Sequence, residues 1–382
     1  MLRNTKVVLF LLFFLAINTA NAAAIAPKPS APNVAAKAYV LVDYDSGRVL
    51  AEENADETLP PASITKLMTS YVVSHELHAG NIQLDDEVLI SEKAWRMVGS
   101  RSFIEVNTKV SVEALLRGMI VQSGNDAAVA LAEHIAGSEE TFAQMMNQYA
   151  QQLGMYGTNY RNATGLPDPE HYTTARDIAT LSAALIRDFP EHYKWYSEKE
   201  YTYNDITQHN RNKLLWRDSS VDGLKTGHTE AAGYCLAASA IRSDMRLVSV
   251  VLGTRSENAR AQETQKLFNY GFRFFETHEL YQANVAVTET KVWKGAQDKV
   301  ELGLPSNLSV TVPRGQYESL TASTNLQQPI IAPVAAGATL GEVEIRLGDE
   351  IIATQPLVAI NAVEAGSWWR RLLDEILLWI WG

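Results

Sequence analysis

The chain contains a single cysteine, Cys235, in 382 residues. One thiol cannot form a disulfide within the chain, and it excludes every cysteine-rich metal site. Cys235 lies in an apolar stretch two positions after Gly233, which predicts a small buried side chain and not a reactive thiol. The 8 histidines form no H-E-x-x-H motif and no paired spacing typical of zinc. We therefore expect no metal and no cofactor.

Basic residues are also scarce. Lys and Arg number 33 against 44 Asp and Glu, which gives a formal net charge of -11, and no lysine- or arginine-rich run offsets this acidity. This balance argues against a nucleic-acid partner. An anionic substrate would have to be held by local cations.

The first residues have the pattern of a signal peptide. Arg3 and Lys6 precede an apolar run from Val7 to Ile17, and Ala20-Asn21-Ala22 offers small residues for cleavage. We expect residues 1–22 to be removed, which makes the formal charge two units more negative and places the protein outside the cytoplasm. The alternative is an uncleaved anchor, although the apolar run is short for a span of ~20 residues.

Length and apolar content predict two domains with real cores, since 382 residues exceed one typical domain and 46% of them are hydrophobic. Strand patterns at 38–51 are followed by a mainly helical region and then by strands at 223–253 and a helix at 258–275. This order predicts an α+β fold, in which one antiparallel sheet is made from both ends of the region and a helical cluster is inserted between them. The predicted helices of that cluster cover 112–122, 126–136, 139–153 and 175–187.

The pattern of the sequence changes at about Tyr281. Short strand-like runs separated by Gly, Pro and Asn predict a second, all-β domain over residues 281–362. These runs are 285–292, 299–303, 308–313, 330–333, 339–346 and 356–359.

The tail at 367–382 alternates apolar pairs with charged pairs, Arg370-Arg371 and Asp374-Glu375. As a helix it would be only ~22 Å long, and the central charges would not tolerate a membrane span. We expect an amphipathic helix that lies in the membrane interface, with its charges toward water and its Trp and Leu side chains toward lipid. The alternative is a helix that packs on the protein's own core.

The segment Pro60-Pro61-Ala62-Ser63-Ile64-Thr65-Lys66 places a hydroxyl and an amine three residues apart at a predicted helix start. Ser63 and Lys66 would share one face, so the amine can reach the hydroxyl. An amine with a depressed pKa could then take the serine proton. Alternatively, Ser63 caps a helix and Lys66 points into water. No other serine in the chain has a lysine at the third following position.

Two further segments carry candidate groups. Ser123-Gly124-Asn125 lies on a short loop between predicted helices, where a hydroxyl can relay a proton and an amide can hold a carbonyl. In isolation it could equally be a helix stop and restart. Lys225-Thr226-Gly227 lies on a predicted strand, where lysine and threonine offer groups to an anion and the glycine allows a substrate backbone to approach the strand edge.

The three motifs in this order resemble those of class A β-lactamases and penicillin-binding proteins, S-x-x-K, S-D-N and K-T-G. The second motif is Ser-Gly-Asn here, which points away from class A β-lactamases. Together with the signal segment, the β-domain and the amphipathic tail, the chain resembles the low-molecular-mass penicillin-binding proteins, the D-alanyl-D-alanine carboxypeptidases of the DacA type in peptidase family S11.

This resemblance implies a role for each matching residue. Ser63 would be the acylated nucleophile and Lys66 its general base, with Ser123 and Asn125 as the second catalytic element. The substrate-binding residues implied are Lys225, Thr226, Gly227, His228, Arg260 and Arg211. Within this set, the backbone N–H groups of Ser63 and His228 would form the oxyanion hole. Arg260 would bind the terminal carboxylate, supported by Arg211.

The implied fold is a transpeptidase-like catalytic domain at 36–279, followed by the β-domain and the tail helix. The implied activity is removal of the terminal D-alanine from peptidoglycan pentapeptides through an acyl-serine, with β-lactams as covalent inhibitors and the enzyme on the periplasmic side of the inner membrane. Two alternatives are a β-lactamase on the same scaffold and a non-catalytic cell-wall scaffold. Glu170, between the second and third motifs, lacks the flanking pattern of the β-lactamase glutamate, so we interpret it as a solvent-exposed loop acid.

Overall fold

A five-stranded antiparallel sheet forms the centre of the first two thirds of the chain, in the strand order β2-β1-β9-β8-β7. The computed structural model describes residues 30–381, so the predicted signal segment 1–22 lies outside the described residues. The strands are β1 (Ala38–Asp43), β2 (Val49–Glu53), β3 (Glu87–Leu89), β4 (Lys109–Ser111), β5 (Glu200–Tyr203), β6 (Ile206–His209), β7 (Val221–Thr229), β8 (Gly233–Arg242), β9 (Met245–Thr254), β10 (Phe275–Tyr281), β11 (Ala286–Trp293), β12 (Lys299–Gly303), β13 (Leu308–Pro313), β14 (Leu320–Leu326), β15 (Ile330–Ile331), β16 (Thr339–Leu347) and β17 (Glu350–Ala359).

The helices cover one face of this sheet as a cluster and the other face as a single long helix. They are α1 (Lys66–His78), α2 (Glu92–Trp95), α3 (Val112–Val121), α4 (Asn125–Ala136), α5 (Glu139–Gln152), α6 (Ala175–Asp188), α7 (Pro190–Tyr193), α8 (Leu214–Arg217), α9 (Glu257–Phe274) and α10 (Trp368–Trp381). Apolar side chains of α1, α3, α4 and α6 form the larger core against the sheet. Phe268 and Phe272 of α9 contribute to a second core on the opposite face.

The predicted sheet made from both ends of the region is confirmed. β1 pairs with β9 so that Ala38 lies opposite Leu252, and β9 continues the antiparallel order through β8 to β7. β7 is therefore an edge strand. Its free side faces a short 3₁₀ helix, Ala62–Thr65, that leads directly into α1.

An all-β unit follows α9, as the sequence predicts. It contains a six-stranded sheet in the order β14-β16-β17-β12-β11-β15 and the separate pair β10-β13. Its buried residues form their own apolar core. Strands β10 and β14 are absent from the sequence prediction, and β17 is longer at its start than predicted. The sequence Leu320–Leu326 is mostly exposed and polar, so it lacks the apolar alternation by which strands are found.

A hydrogen-bond network joins the first sheet to the β10-β13 pair. The buried carboxylate of Asp43 at the end of β1 accepts from Thr277 Oγ1 at 2.7 Å and from Ser46 Oγ at 2.7 Å. Arg48 donates to the carbonyl of Thr311 at 2.6 Å. Asp43 is fully buried, so its bond to Thr277 is largely shielded from water; together with the bond from Arg48 to Thr311 it holds the two units together.

The tail forms a helix, α10, whose orientation differs in part from the prediction. Three of its charged side chains bind the β-domain at the segment from Lys294 to Asp298: Arg370 pairs with Asp298, Glu375 pairs with Lys294, and Asp374 accepts from the Lys294 backbone N–H. Glu375 remains 65% exposed, whereas Arg370 and Asp374 are half-buried. Arg371 is exposed. The structure does not bear out packing of the apolar side on the protein's core, since these apolar residues of α10 are exposed: Trp368, Trp369, Leu372, Leu373, Ile376, Leu377, Trp379 and Ile380.

None of the helices within residues 30–381 combines the length and the apolar character that a membrane span requires.

Candidate active site

Ser63 and Lys66 meet at the start of α1. The sequence predicts that the helix begins near Ser63. In the structure, residues Ala62–Thr65 form a tighter 3₁₀ turn, and Lys66 is the first residue of the α-helix. Lys66 Nζ nevertheless lies 3.1 Å from Ser63 Oγ. Ser63 is half-buried, whereas Lys66 is 1% exposed. The alternative in which Lys66 points into water is therefore wrong.

Two oxygen atoms besides Ser63 Oγ hold the Lys66 amine in place. It donates to Asn125 Oδ1 at 2.7 Å and to the carbonyl of Thr164 at 2.7 Å. Burial lowers the pKa of Lys66 from its usual value to about 7, against an opposing effect of the nearby Asp126 carboxylate. A large fraction of the amine is then neutral near neutral pH, and a neutral amine has a lone pair that can accept a proton.

Ser123 lies on the loop between α3 and α4, and Asn125 is the first residue of α4. Asn125 Nδ2 donates to the carbonyl of Val98 at 2.6 Å, which directs Oδ1 toward Lys66. Ser123 has the left-handed backbone conformation, with φ of 71°. Its side chain is buried, and its Oγ has no hydrogen-bond partner among residues 30–381. An unpartnered buried hydroxyl at a cavity wall is free to bond a ligand.

The third motif lies on the edge strand β7. Lys225 is buried and donates to the carbonyl of Thr226 at 3.1 Å, and its pKa is lowered well below its usual value by burial and by the neighbouring Lys66, Arg211 and Arg260. Gly227 also has a structural role, in addition to the predicted approach of a substrate backbone. A Cβ there would lie 3.0 Å from the carbonyl oxygen of Pro61, so glycine allows the turn of Ser63 to pack against β7.

Two arginines supply positive charge beside β7. Arg260, in the first turns of α9, is 4% exposed and donates to the carbonyl of Gly227 at 3.2 Å. Its guanidinium also donates to the backbone carbonyl of Arg211 at 3.5 Å, which links the first turns of α9 to the segment that contains Arg211.

All of these segments enclose one cavity of about 410 Å³. The candidate residues that line it are Ser63, Ser123, Asn125, Arg211, Thr226, Gly227, His228 and Arg260. Lys66 and Lys225 lie behind this wall, where each is buried. Glu170 is not among the lining residues. Its side chain is 71% exposed and pairs with Arg161, as expected for a loop acid.

Sequence reasoning missed Tyr234 and Thr164. Tyr234 lines the cavity, its ring stacks on His228 with 3.9 Å between centroids, and the Arg260 guanidinium lies 5.7 Å from the ring centre. The register of the β7-β8 pair places Tyr234 opposite His228, so pairing of the predicted strands could have identified it. Thr164 contributes only its backbone carbonyl, which no residue type reveals.

Comparison with known proteins identifies the family to which the chain belongs. A family model described as D-alanyl-D-alanine carboxypeptidase matches residues 21–256, and one described as the C-terminal domain of penicillin-binding protein 5 matches residues 275–365. The D-alanyl-D-alanine carboxypeptidase DacC of Escherichia coli is 46% identical over 356 residues, which cover 91% of this chain and 89% of that protein.

Solved structures show the same likeness. Penicillin-binding protein 5 of Haemophilus influenzae superposes with a TM-score of 0.86 at 45% identity, over 88% of this chain and 99% of that one. Penicillin-binding protein D2 of Listeria monocytogenes, in its ampicillin-bound form, matches with a TM-score of 0.59 at 31% identity, over 64% of this chain and 100% of that one.

Proposed function

The chain belongs to the D-alanyl-D-alanine carboxypeptidase family, peptidase S11, and from this premise we propose that Ser63 attacks the terminal D-Ala-D-Ala bond of peptidoglycan pentapeptides. The observation that carries the proposal is the 3.1 Å contact between Ser63 Oγ and the buried Lys66 amine. A serine hydroxyl becomes a useful nucleophile only with a base in hydrogen-bond reach.

Acylation begins when Ser63 Oγ attacks the carbonyl carbon of the penultimate D-alanine while neutral Lys66 takes the hydroxyl proton. Lys66 becomes an ammonium, which Asn125 Oδ1 and the Thr164 carbonyl can stabilise. The carbonyl oxygen becomes an oxyanion, bound by the N–H groups of Ser63 and His228.

Collapse of this intermediate breaks the peptide bond, and the departing amine of D-alanine needs a proton. The unpartnered hydroxyl of Ser123 supports a relay role, since it can donate to the amine and accept a proton from Lys66. Water then attacks the acyl-serine and gives a proton to the neutral Lys66 amine, which passes it to the departing Ser63 Oγ as the shortened peptide is released.

The free carboxylate of the terminal D-alanine would lie against Thr226 and Arg260, with Arg211 in support. Arg260 is suited to this role because it is buried at the cavity wall of an otherwise acidic protein, and guanidinium binds carboxylates in a fixed geometry. β-Lactams would acylate the same serine, an inference supported by the ampicillin-bound relative.

The setting of the enzyme is part of the proposal. The signal pattern at 1–22 and the exposed apolar side of α10 support a protein exported to the periplasm and held on the inner membrane by its tail. The corresponding division of the chain is a catalytic domain at 36–279, a β-domain at 281–362 and the tail at 367–382.

Replacement of the nucleophile tests this proposal. Ser63→Ala should abolish release of D-alanine from a blocked tripeptide and abolish labelling by fluorescent penicillin, while Ser306→Ala, at an exposed serine of the β-domain, should retain both. Labelling of the Ser63→Ala variant would contradict the assignment of Ser63 as the nucleophile. Labelling that is retained by the wild-type protein without any D-alanine release would favour a penicillin-binding scaffold instead.

A further inference from the structure

The segment between α2 and residue 104 presents apolar side chains to solvent at the mouth of the catalytic cavity. Trp95 is 36% exposed, Val98 67% and Phe103 44%. Gly99 and Ser100 of the same segment line the cavity itself. We call the side chains of Trp95, Arg96, Val98, Arg101 and Phe103 the rim surface; Arg101 is partly buried and the other four are exposed. Adjacent exposed apolar groups beside a binding cavity indicate a contact with a further part of the ligand.

The rim surface is fixed to the catalytic loop. The backbone N–H of Asn125 donates to the carbonyl of Ser100 at 2.8 Å, and Asn125 Nδ2 donates to the carbonyl of Val98. The buried carboxylate of Asp126 accepts from the N–H of Ser102 at 2.8 Å. A surface held at this many points has a set position relative to Ser63.

Phe103 provides a second, independent observation. It has a left-handed backbone conformation, with φ of 61°, which is rare and unfavourable for an aromatic residue. Its side chain gains little from burial in return, since it is exposed. Strain without a packing benefit suggests a contact outside the folded chain.

Charge narrows the nature of that contact. The Arg96 and Arg101 guanidinium groups each lie 5.9 Å from an aromatic centre, Trp95 and Phe103 respectively. Arg101 also donates to the carbonyl of Trp95 at 2.6 Å, whereas Arg96 is 69% exposed and pairs with the exposed Glu92. A solvent-exposed ion pair is weak, so Arg96 can exchange Glu92 for a ligand carboxylate, and the aromatic rings suit the apolar face of a sugar ring. Peptidoglycan has both, in its stem peptides and its glycan.

We propose that the rim surface binds the polymer around the scissile pentapeptide, the neighbouring stem carboxylates and the glycan to which they are attached. This inference rests on the carboxypeptidase function proposed above and deepens it. The cavity binds the two terminal D-alanines, and the rim surface distinguishes a pentapeptide within the cell wall from a free short peptide.

The test compares two substrates in the full chain. Phe103→Asn keeps a residue that tolerates the left-handed backbone, and Val98→Thr keeps the shape of that side chain, so the double variant removes apolar surface with little effect on the fold. Its kcat/KM for D-alanine release from pentapeptide-rich sacculi should fall about tenfold. Release from a blocked tripeptide and labelling by fluorescent penicillin should stay within about twofold of wild type.

Tyr156→Ser is the matched control, because Tyr156 is 85% exposed and does not line the catalytic cavity. It should leave both rates unchanged. Equal rates of the double variant and the wild type on sacculi, or an equal loss on sacculi and tripeptide, would overturn the inference. A wild-type protein without activity on the tripeptide would instead contradict the proposed carboxypeptidase function itself.

Discussion

The surroundings of the Lys66 amine have opposing effects on its protonation. Its burial favours the neutral form, while the oxygen atoms of Ser63, Asn125 and Thr164 that surround it favour the ammonium. In the proposed mechanism, the pKa of about 7 would let the same group accept a proton during attack and return it, through Ser123, to the leaving amine. A fully exposed lysine would stay protonated, and a buried lysine without hydrogen bonds would stay neutral, so neither could both accept and return the proton.

The pH dependence of acylation follows from this pKa. The base is the deprotonated amine, so the acylation rate should rise about tenfold per pH unit below the pKa and level off above it. The turning point is expected near pH 7, the value at which half of the Lys66 amine is neutral. Stopped-flow measurement of penicillin acylation between about pH 5 and pH 9 gives this profile.

Lys66→Arg is the comparison, since a guanidinium keeps its proton throughout this range. It should acylate at least about a hundredfold more slowly at every pH, with circular dichroism of the wild-type form. A wild-type rate that does not change with pH would mean that another group takes the serine proton.

At this scale, side chains with a chemical signature could be predicted and backbone groups could not. Ser63, Asn125 and Lys225 were found because their spacing is unusual and their functional groups are distinctive. The Thr164 carbonyl was missed because every residue has a carbonyl. Its proximity to Lys66 depends on the path of a loop that is 98 residues away in sequence.

The loop at 162–172 is the element that completes the site. It is bound to the start of α1 at three points: Lys66 donates to the Thr164 carbonyl, Thr69 Oγ1 donates to the Ala163 carbonyl at 2.7 Å, and Thr65 Oγ1 and His171 Nε2 lie 2.9 Å apart. Burial lowers the pKa of His171 to about 4, so its ring is neutral in this contact at neutral pH.

Gly165 allows that loop to approach the turn of Ser63. Its φ is +85°, and a Cβ there would lie 1.8 Å from the carbonyl oxygen of Ala62. Gly165→Ala should therefore destabilise the fold by about 2–4 kcal/mol, the sum of backbone strain and overpacking. It should also slow penicillin acylation, because the loop would carry the Thr164 carbonyl away from Lys66. Urea unfolding and acylation rates measure the two effects.

Gly154→Ala separates strain from overpacking. Gly154 has a similar φ of +77°, but no atom lies within 4 Å of the place that an added Cβ would occupy. It should lose only about 1 kcal/mol and acylate normally. Equal losses of stability in the two variants would show that contact with Ala62 is unimportant.

Elements with strong apolar periodicity were predicted within a few residues, among them α3, α5, β8 and β12. The β5-β6 hairpin at Glu200–Tyr203 and Ile206–His209 was not, since it is largely exposed and polar. The 3₁₀ start at Ala62–Thr65 was also missed. The packing of Gly227 on Pro61 and Ala62 tightens this turn, and such a contact between distant segments leaves no local pattern.

At the scale of the whole molecule, the two sides of α10 have different surroundings. Arg370, Asp374 and Glu375 attach it to the β-domain, and its apolar side points away from the protein. The helix therefore presents a continuous apolar face without leaving the domain that carries it. This arrangement suits binding to a flat lipid interface.

Introduction of charge on that face should release the protein from membranes. In the double variant Leu373→Asp, Leu377→Asp each lost leucine removes roughly 1.5–3 kcal/mol of apolar burial, and each carboxylate opposes insertion. Co-sedimentation with anionic vesicles should fall from nearly complete to background, with unchanged activity on a tripeptide. Glu375→Gln, on the side attached to the β-domain, should still sediment. Continued sedimentation of the double variant would place the membrane contact elsewhere.

The pairing of β1 with β9 has a consequence for the order in which the protein can fold. Residues 38–43 find their partner strand only at 247–252, more than two hundred residues later. A growing chain that has not yet reached β9 has no closed sheet and no cavity, and contacts over such separations form slowly. An exported chain would thus pass through a narrow membrane channel before its tertiary structure blocks the passage, and the enzyme would become active only on the far side.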